Sequence, residues 1–156
     1  MASRRRAREF ALQALYLADI NQSDAVDALR DLWAGQIDEE ELTQRPAEKD
    51  EITFAEQLVA GVREQHKAVD TMIEKASRNW RLSRMPVVDR NILRIATYEL
   101  LARDDVPASV SINEAVELAK KFGDKDSRAF VNGILDRIAA ETGRGGRHHT
   151  SKKTVK

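Results

Sequence analysis

Along most of the chain, apolar residues return every three or four positions, the period of an α-helix with one buried face. Phe10, Ala11, Ala14, Leu15 and Ala18 form such a stripe and predict a first helix over about residues 4–20. Ser23 is placed to cap a second helix, with Val26, Leu29, Leu32 and Trp33 on one side. The polar, acidic stretch IDEEELTQRPAEKD then breaks the pattern and reads as a loop. From Thr53 the period resumes and runs to Ser77 through Phe54, Leu58, Gly61, Val62, Gln65, Val69, Met72 and Ala76. That run predicts one long helix, in which Gly61 either loosens the backbone or admits a close neighbour.

The segment NWRLSRMP reads as a short helical turn ended by Pro86. Pro86 suits the start of the next helix, where its missing N–H is not needed. Val88, Ile92, Ile95, Ala96 and Leu100 carry that helix to about Arg103, and DDVPASVS turns the chain. Ser111 and Glu114 match a capping box, predicting a helix with Ala115, Leu118, Ala119 and Phe122 inward and a stop at Gly123. Asp126 or Ser127 then caps a last helix with Val131, Ile134, Leu135 and Ile138 inward. VPASVSI alternates weakly, but it is short and contains a proline, so no strand is predicted. There is no internal repeat. The expected fold is an all-α bundle of six or seven helices.

The composition agrees with one domain: 156 residues, 42% apolar and 33% charged. No apolar run approaches the roughly 18 residues of a membrane span, and the N-terminus lacks the apolar core of a secretory signal. A cytoplasmic location is expected. The absence of cysteine excludes disulfides, thiolate nucleophiles and cysteine-based metal sites.

Charge changes the picture more. Residues 1–8 hold Arg4, Arg5, Arg6 and Arg8 and no acid; residues 143–156 hold five basic residues and no acid. The segment between them keeps 17 basic residues against all 26 acids, a net charge of −9. Cationic ends on an acidic body suit a polyanionic partner or serve solubility alone, and for the C-terminal end solubility is the reading that fits better. The domain is expected to span 1–142, followed by a basic, disordered tail over 143–156. At a helix N-terminus each arginine opposes the macrodipole by ~0.3–1 kcal/mol, so either that end frays or an anion offsets the cost. Arginine is also the better fork for phosphate oxygens.

Catalytic signals are missing. His66 is isolated, and His148 and His149 lie in the tail. No metalloprotease, nucleophile-elbow, Walker or dinucleotide-binding motif is present. Asp38, Glu39, Glu40 and Glu41 read as a solvated loop. No catalytic residue, metal or cofactor is expected. Phe130 falls at the edge of the last helix's apolar stripe, beside Lys125, Asp126, Ser127 and Arg128. It either closes the core or offers a ring to an unpaired RNA base. Tyr16, off the stripe of the first helix, is open to the same two readings.

Three stretches together resemble the bacterial NusB transcription antitermination factor family: RRRAREFALQALY, MPVVDRNILRIATYEL and DVPASVSINEAVELAKKFGDKDSRAFVNGILD. The similarity is nearly continuous from Trp80 to Ile138. In the first half it rests mainly on the arginine-rich first helix. The resemblance implies two packed helical subdomains and no catalysis. It implies binding to the boxA element of nascent ribosomal RNA leaders together with NusE, a ribosomal protein, in an antitermination complex on RNA polymerase. It also implies homodimers in some members.

By position, Arg4, Arg5, Arg6 and Arg8 match the family's RNA-binding start, and Tyr16 its first-helix tyrosine. Asp126, Ser127 and Phe130 match the turn and aromatic associated with RNA, with Arg128 beside them. Asp89, Arg90, Arg94 and Glu99 are the candidates for contact with NusE, or else form ion pairs within the bundle. Two alternatives accompany this reading. One is the NusB-like domain of an rRNA cytosine methyltransferase, which expects a following SAM-binding domain with catalytic cysteines. The other is a protein-interaction bundle without RNA affinity.

Overall fold

A computed structural model describes residues 2–35, 45–78 and 80–143. The expected acidic loop cluster Asp38–Glu41 lies outside these residues, as does all of the basic tail beyond Gly143. The described residues contain seven α-helices and no strand, in two units, Met1–Glu64 and Gln65–Lys156.

In the N-terminal unit, α1 (Arg4–Asn21) packs on α2 (Ala25–Ala34) and on α3 (Lys49–Glu64), and α2 packs on α3. Ser3 caps α1 by accepting the Arg6 N–H at 3.2 Å. Ala7, Ala11, Ala14 and Ala18 give α1 a face of small buried residues, flanked by Leu12 and Leu15. Phe10 is only partly buried and meets Trp33 of α2 edge-on, with ring centroids 5.1 Å apart. Ser23 does not cap α2. Its N–H closes the end of α1 on the Ala18 carbonyl, and the Asp24 carboxylate takes the cap by accepting the Val26 N–H at 2.7 Å.

The expected long helix is two. It starts earlier than Thr53, at Lys49, and breaks at Gln65, after which α4 (His66–Ser77) begins. Residues 63–68 are all exposed. The apolar phase barely shifts across them, because Phe54, Leu58 and Val62 on one side and Val69, Ile73 and Ala76 on the other keep a common register at 100° per residue. Periodicity therefore cannot sense the break.

In the C-terminal unit, α5 (Val87–Ala102) is central, packing on α4, on α6 (Ala108–Phe122) and on α7 (Ser127–Glu141); α7 also meets α4 and α6. Ile92, Leu93, Ile95, Ala96 and Leu100 of α5 are buried, each large side chain contributing about 1.5–3 kcal/mol. A 3-10 turn at Leu82–Arg84 precedes α5. α6 begins a turn before the expected capping box, because Pro107 ends the extended segment and its carbonyl accepts the N–H groups of Val110 and Ser111. Ser111 is instead buried inside α6 and donates to Glu99 Oε1 at 2.7 Å. Phe122, expected inward, is 38% exposed at the helix end. Asp126 stands at the α7 cap position but makes no side-chain cap bond.

Candidate nucleic-acid interface

The arginine-rich start of α1 is organised by a carboxylate 48 residues away. Glu51, in the first turn of α3, is 1% exposed. It accepts the Ser3 N–H at 2.8 Å, the Glu48 N–H at 3.0 Å and Arg6 Nη1 at 3.1 Å. Arg45 grips it with both Nη atoms, at 3.0 and 2.5 Å. The Arg45 guanidinium, helped by the Glu48 and Ser3 amides, holds the Glu51 carboxyl at about 2 despite the opposing effect of burial. Arg6 also donates to the carbonyls of Pro46 and Arg45.

The four candidate arginines are thus unlike one another. Arg8 is buried, its guanidinium carbon 5.3 Å from the Phe54 ring centre. Arg6 is largely committed to Glu51 and to backbone carbonyls. Arg4 and Arg5 are exposed, with the Arg4 guanidinium over Phe54 at 4.3 Å. The charge that opposes the helix dipole is met inside the fold, by Glu51 and an aromatic face. Sequence reasoning missed Glu51, since nothing local separates it from its acidic neighbours. Tyr16 is 36% exposed. At 100° per residue it lies about 20° around α1 from Arg5 and about 16 Å along the axis, on one strip of the helix.

In the C-terminal unit the turn 123–127 is held from within. Ser127 is 1% exposed; its hydroxyl donates to Asp89 Oδ1 at 2.7 Å and accepts the Asp124 N–H at 2.9 Å. Asp124 Oδ1 accepts the Asp126 N–H at 2.8 Å. Gly123 makes room for this. A Cβ there would overlap Ser127 Oγ and stand 2.6 Å from Ser127 Cβ and 2.8 Å from the Ala119 carbonyl oxygen. Burial pushes the Asp89 carboxyl above its ordinary value, and the Ser127 hydroxyl only partly opposes this. Ser127 therefore fixes the turn, while Asp126 and Arg128 are exposed around it. Phe130 is half-buried and meets Trp80, ring centroids 5.7 Å apart and planes inclined by 58°.

The four residues expected to meet a protein partner are tied into the bundle. Asp89 and Glu99 are buried, each bonded to a serine on another helix. Arg94 makes a two-pronged pair with Asp70 of α4, at 3.0 and 3.3 Å, and a third bond to Asn91. Arg90 donates to the carbonyls of Leu82, Ser83 and Met85, closing the turn before α5. Among the described residues no cluster of potential metal ligands occurs, and no helix is long and apolar enough to cross a membrane.

The NusB family model matches residues 5–140. This chain belongs to the NusB family. The transcription antitermination protein NusB of Trichlorobacter lovleyi is 52% identical over 140 residues, 90% of this chain and 92% of that relative. Among solved structures, T. maritima NusB is 36% identical with a TM-score of 0.79, covering 96% of this chain and 98% of that one. Antitermination factor NusB solved with NusE and double-stranded RNA is 27% identical, with a TM-score of 0.75 over 88% of this chain and 96% of that one. The NusB fold of helices without strands is thus the fold described above.

Proposed function

We propose that this chain is a cytoplasmic, non-enzymatic transcription antitermination factor. It binds the boxA element of nascent ribosomal RNA leaders together with NusE and supports full-length transcription of rRNA operons by RNA polymerase. The observation that carries this reading is the likeness, over most of the chain, to a NusB solved with NusE and RNA. The site geometry supports it residue by residue. Arg4 and Arg5 on α1 are exposed for phosphate oxygens, with Tyr16 on the same strip as Arg5. Asp126, Arg128 and Phe130 supply a donor–acceptor edge and a ring in the other unit. Arg6, Arg8 and Ser127 act from behind, holding these groups in place. The domain spans 1–142, followed by the basic tail.

A gel shift with boxA RNA and a scrambled control, with and without NusE, tests the reading. Tighter binding of boxA, strengthened by NusE, is expected. Equal affinity for the two RNAs with NusE present would reduce the function to non-specific electrostatics.

A further inference from the structure

Trp80 is 50% exposed, although it is among the largest apolar side chains in the chain. The other tryptophan, Trp33, is partly buried against Phe10. The exposure of Trp80 is not that of a loose loop. Its carbonyl accepts the Ser77 hydroxyl at 2.9 Å. Two residues on, the Leu82 N–H donates to the Glu74 carboxylate at 3.0 Å, and the side chains of Leu82 and Met85 are buried. Arg90 fastens the carbonyls that follow. The backbone entering the turn, at Arg78, holds φ 64° and ψ −83°, a region disfavoured for any residue with a side chain. The fold therefore places local strain and a series of hydrogen bonds in a segment whose largest ring is half exposed.

Chemistry narrows what that group meets. Its inner neighbour is the half-buried ring of Phe130. Arg78, Arg81 and Arg84 surround it in sequence, all exposed, and the segment 78–84 holds no acid. Exposed guanidinium groups interleaved with an aromatic ring are the composition of a single-strand nucleic-acid surface: stacking suits any base, and the cations follow the phosphates.

We propose that Trp80, backed by Phe130, is a stacking platform for one unpaired RNA base, with Arg78, Arg81 and Arg84 taking the adjoining phosphates. The platform rests on the RNA-binding function proposed above and adds four residues to it. Trp80 makes the outer face, and Phe130 sets its tilt.

The test compares Trp80→Ala, Trp80→Phe and the paired change Arg4→Ala with Arg5→Ala, all in the full chain with NusE, on boxA RNA and on copies carrying one abasic position each. Trp80→Ala is expected to lose roughly 5- to 100-fold in RNA affinity and Trp80→Phe much less. At one abasic position the wild type should lose as much, and Trp80→Ala should lose nothing more. RNA should also quench indole emission in the wild type and not in Trp80→Phe, a readout that does not depend on the alanine variant folding. The platform is overturned if RNA leaves the wild-type emission unchanged. It is equally overturned if Trp80→Ala binds RNA like the wild type while the arginine pair does not, or if it loses NusE affinity alone, which would make Trp80 a protein contact. A wild type that treats boxA and scrambled RNA alike, yet still depends on Trp80, would sink the boxA reading and leave the platform standing.

Discussion

Glu51 and Asp89 occupy corresponding places in their units. Each is a buried carboxylate in the first turn of a helix, and each fastens a segment that carries candidate RNA contacts. Glu51 faces two arginines and two amides, so its charge is matched and its proton is lost at about pH 2. Asp89 faces a serine hydroxyl with Asp124 nearby, so its charge is poorly matched and its affinity for a proton is raised. The two anchors therefore serve different ends. The first neutralises a cationic helix start; the second shapes a turn with a short, directional bond and gains little from being charged.

Glu51→Gln should have the largest effect. It leaves Arg6 and Arg45 without their anion and should cost ~2 kcal/mol at pH 7, less than a fully buried pair because the Arg45 side chain is 38% exposed. The folded-state pKa of Glu51 is depressed, so its contribution is complete above about 4.5 and declines as pH falls towards 2. Urea denaturation should show the gap between variant and wild type at pH 7 and its decline below pH 4.5. Ser127→Ala comes next, at about 1–1.5 kcal/mol by the same measurement, because it strips the donor from a buried carboxylate and the acceptor from the Asp124 amide.

Asp89→Asn should have the opposite sign and a smaller size, within ~1 kcal/mol on the stabilising side. The amide oxygen still accepts from Ser127, and no charge is buried. Because the Asp89 pKa is raised, the ionised carboxylate weakens the fold at neutral pH, and the penalty is relieved as pH falls through its raised value towards 3.8. The advantage of the variant should fade over that same range. Replacing Arg4 and Arg5 by alanine should move stability by less than about 1 kcal/mol, because the lost Arg4 contact with Phe54 is offset by relief of the helix dipole. It should flatten the slope of log RNA affinity against log salt by up to ~0.7 for each single-strand phosphate that the variant no longer neutralises.

The helices and most of their inward faces were legible because burial on one side leaves a 3.6-residue period that needs no partner to be named. What sequence could not supply is whatever depends on a second segment. Glu51 looks like any acid until Ser3 and Arg6 are brought to it. Ser111 matches a cap until Glu99 arrives from α5. The break at Gln65 has neither glycine nor proline to mark it, and the exposure of residues 63–68 shows only in the fold. Of the candidate contacts, the residue types were readable but not their accessibility: Arg4 and Arg8 share a helix face on paper, yet one is exposed and the other buried. Trp80 had no period to betray it, being a single ring in a short turn.

The bond from the Ser3 amide to Glu51 bears on recognition in one further way. A helix start that nothing fastens frays, and ordering it on binding costs about 1–2 kcal/mol of backbone entropy per residue. Here the first turn of α1 is already fastened, by its cap and by a buried carboxylate. If Arg4 and Arg5 take phosphates as proposed, they do so from a helix start that is already fastened, so more of each interaction survives as affinity. Hydrogen exchange should find the Ser3 amide protected in the free protein, where a cap residue without such an acceptor exchanges at once.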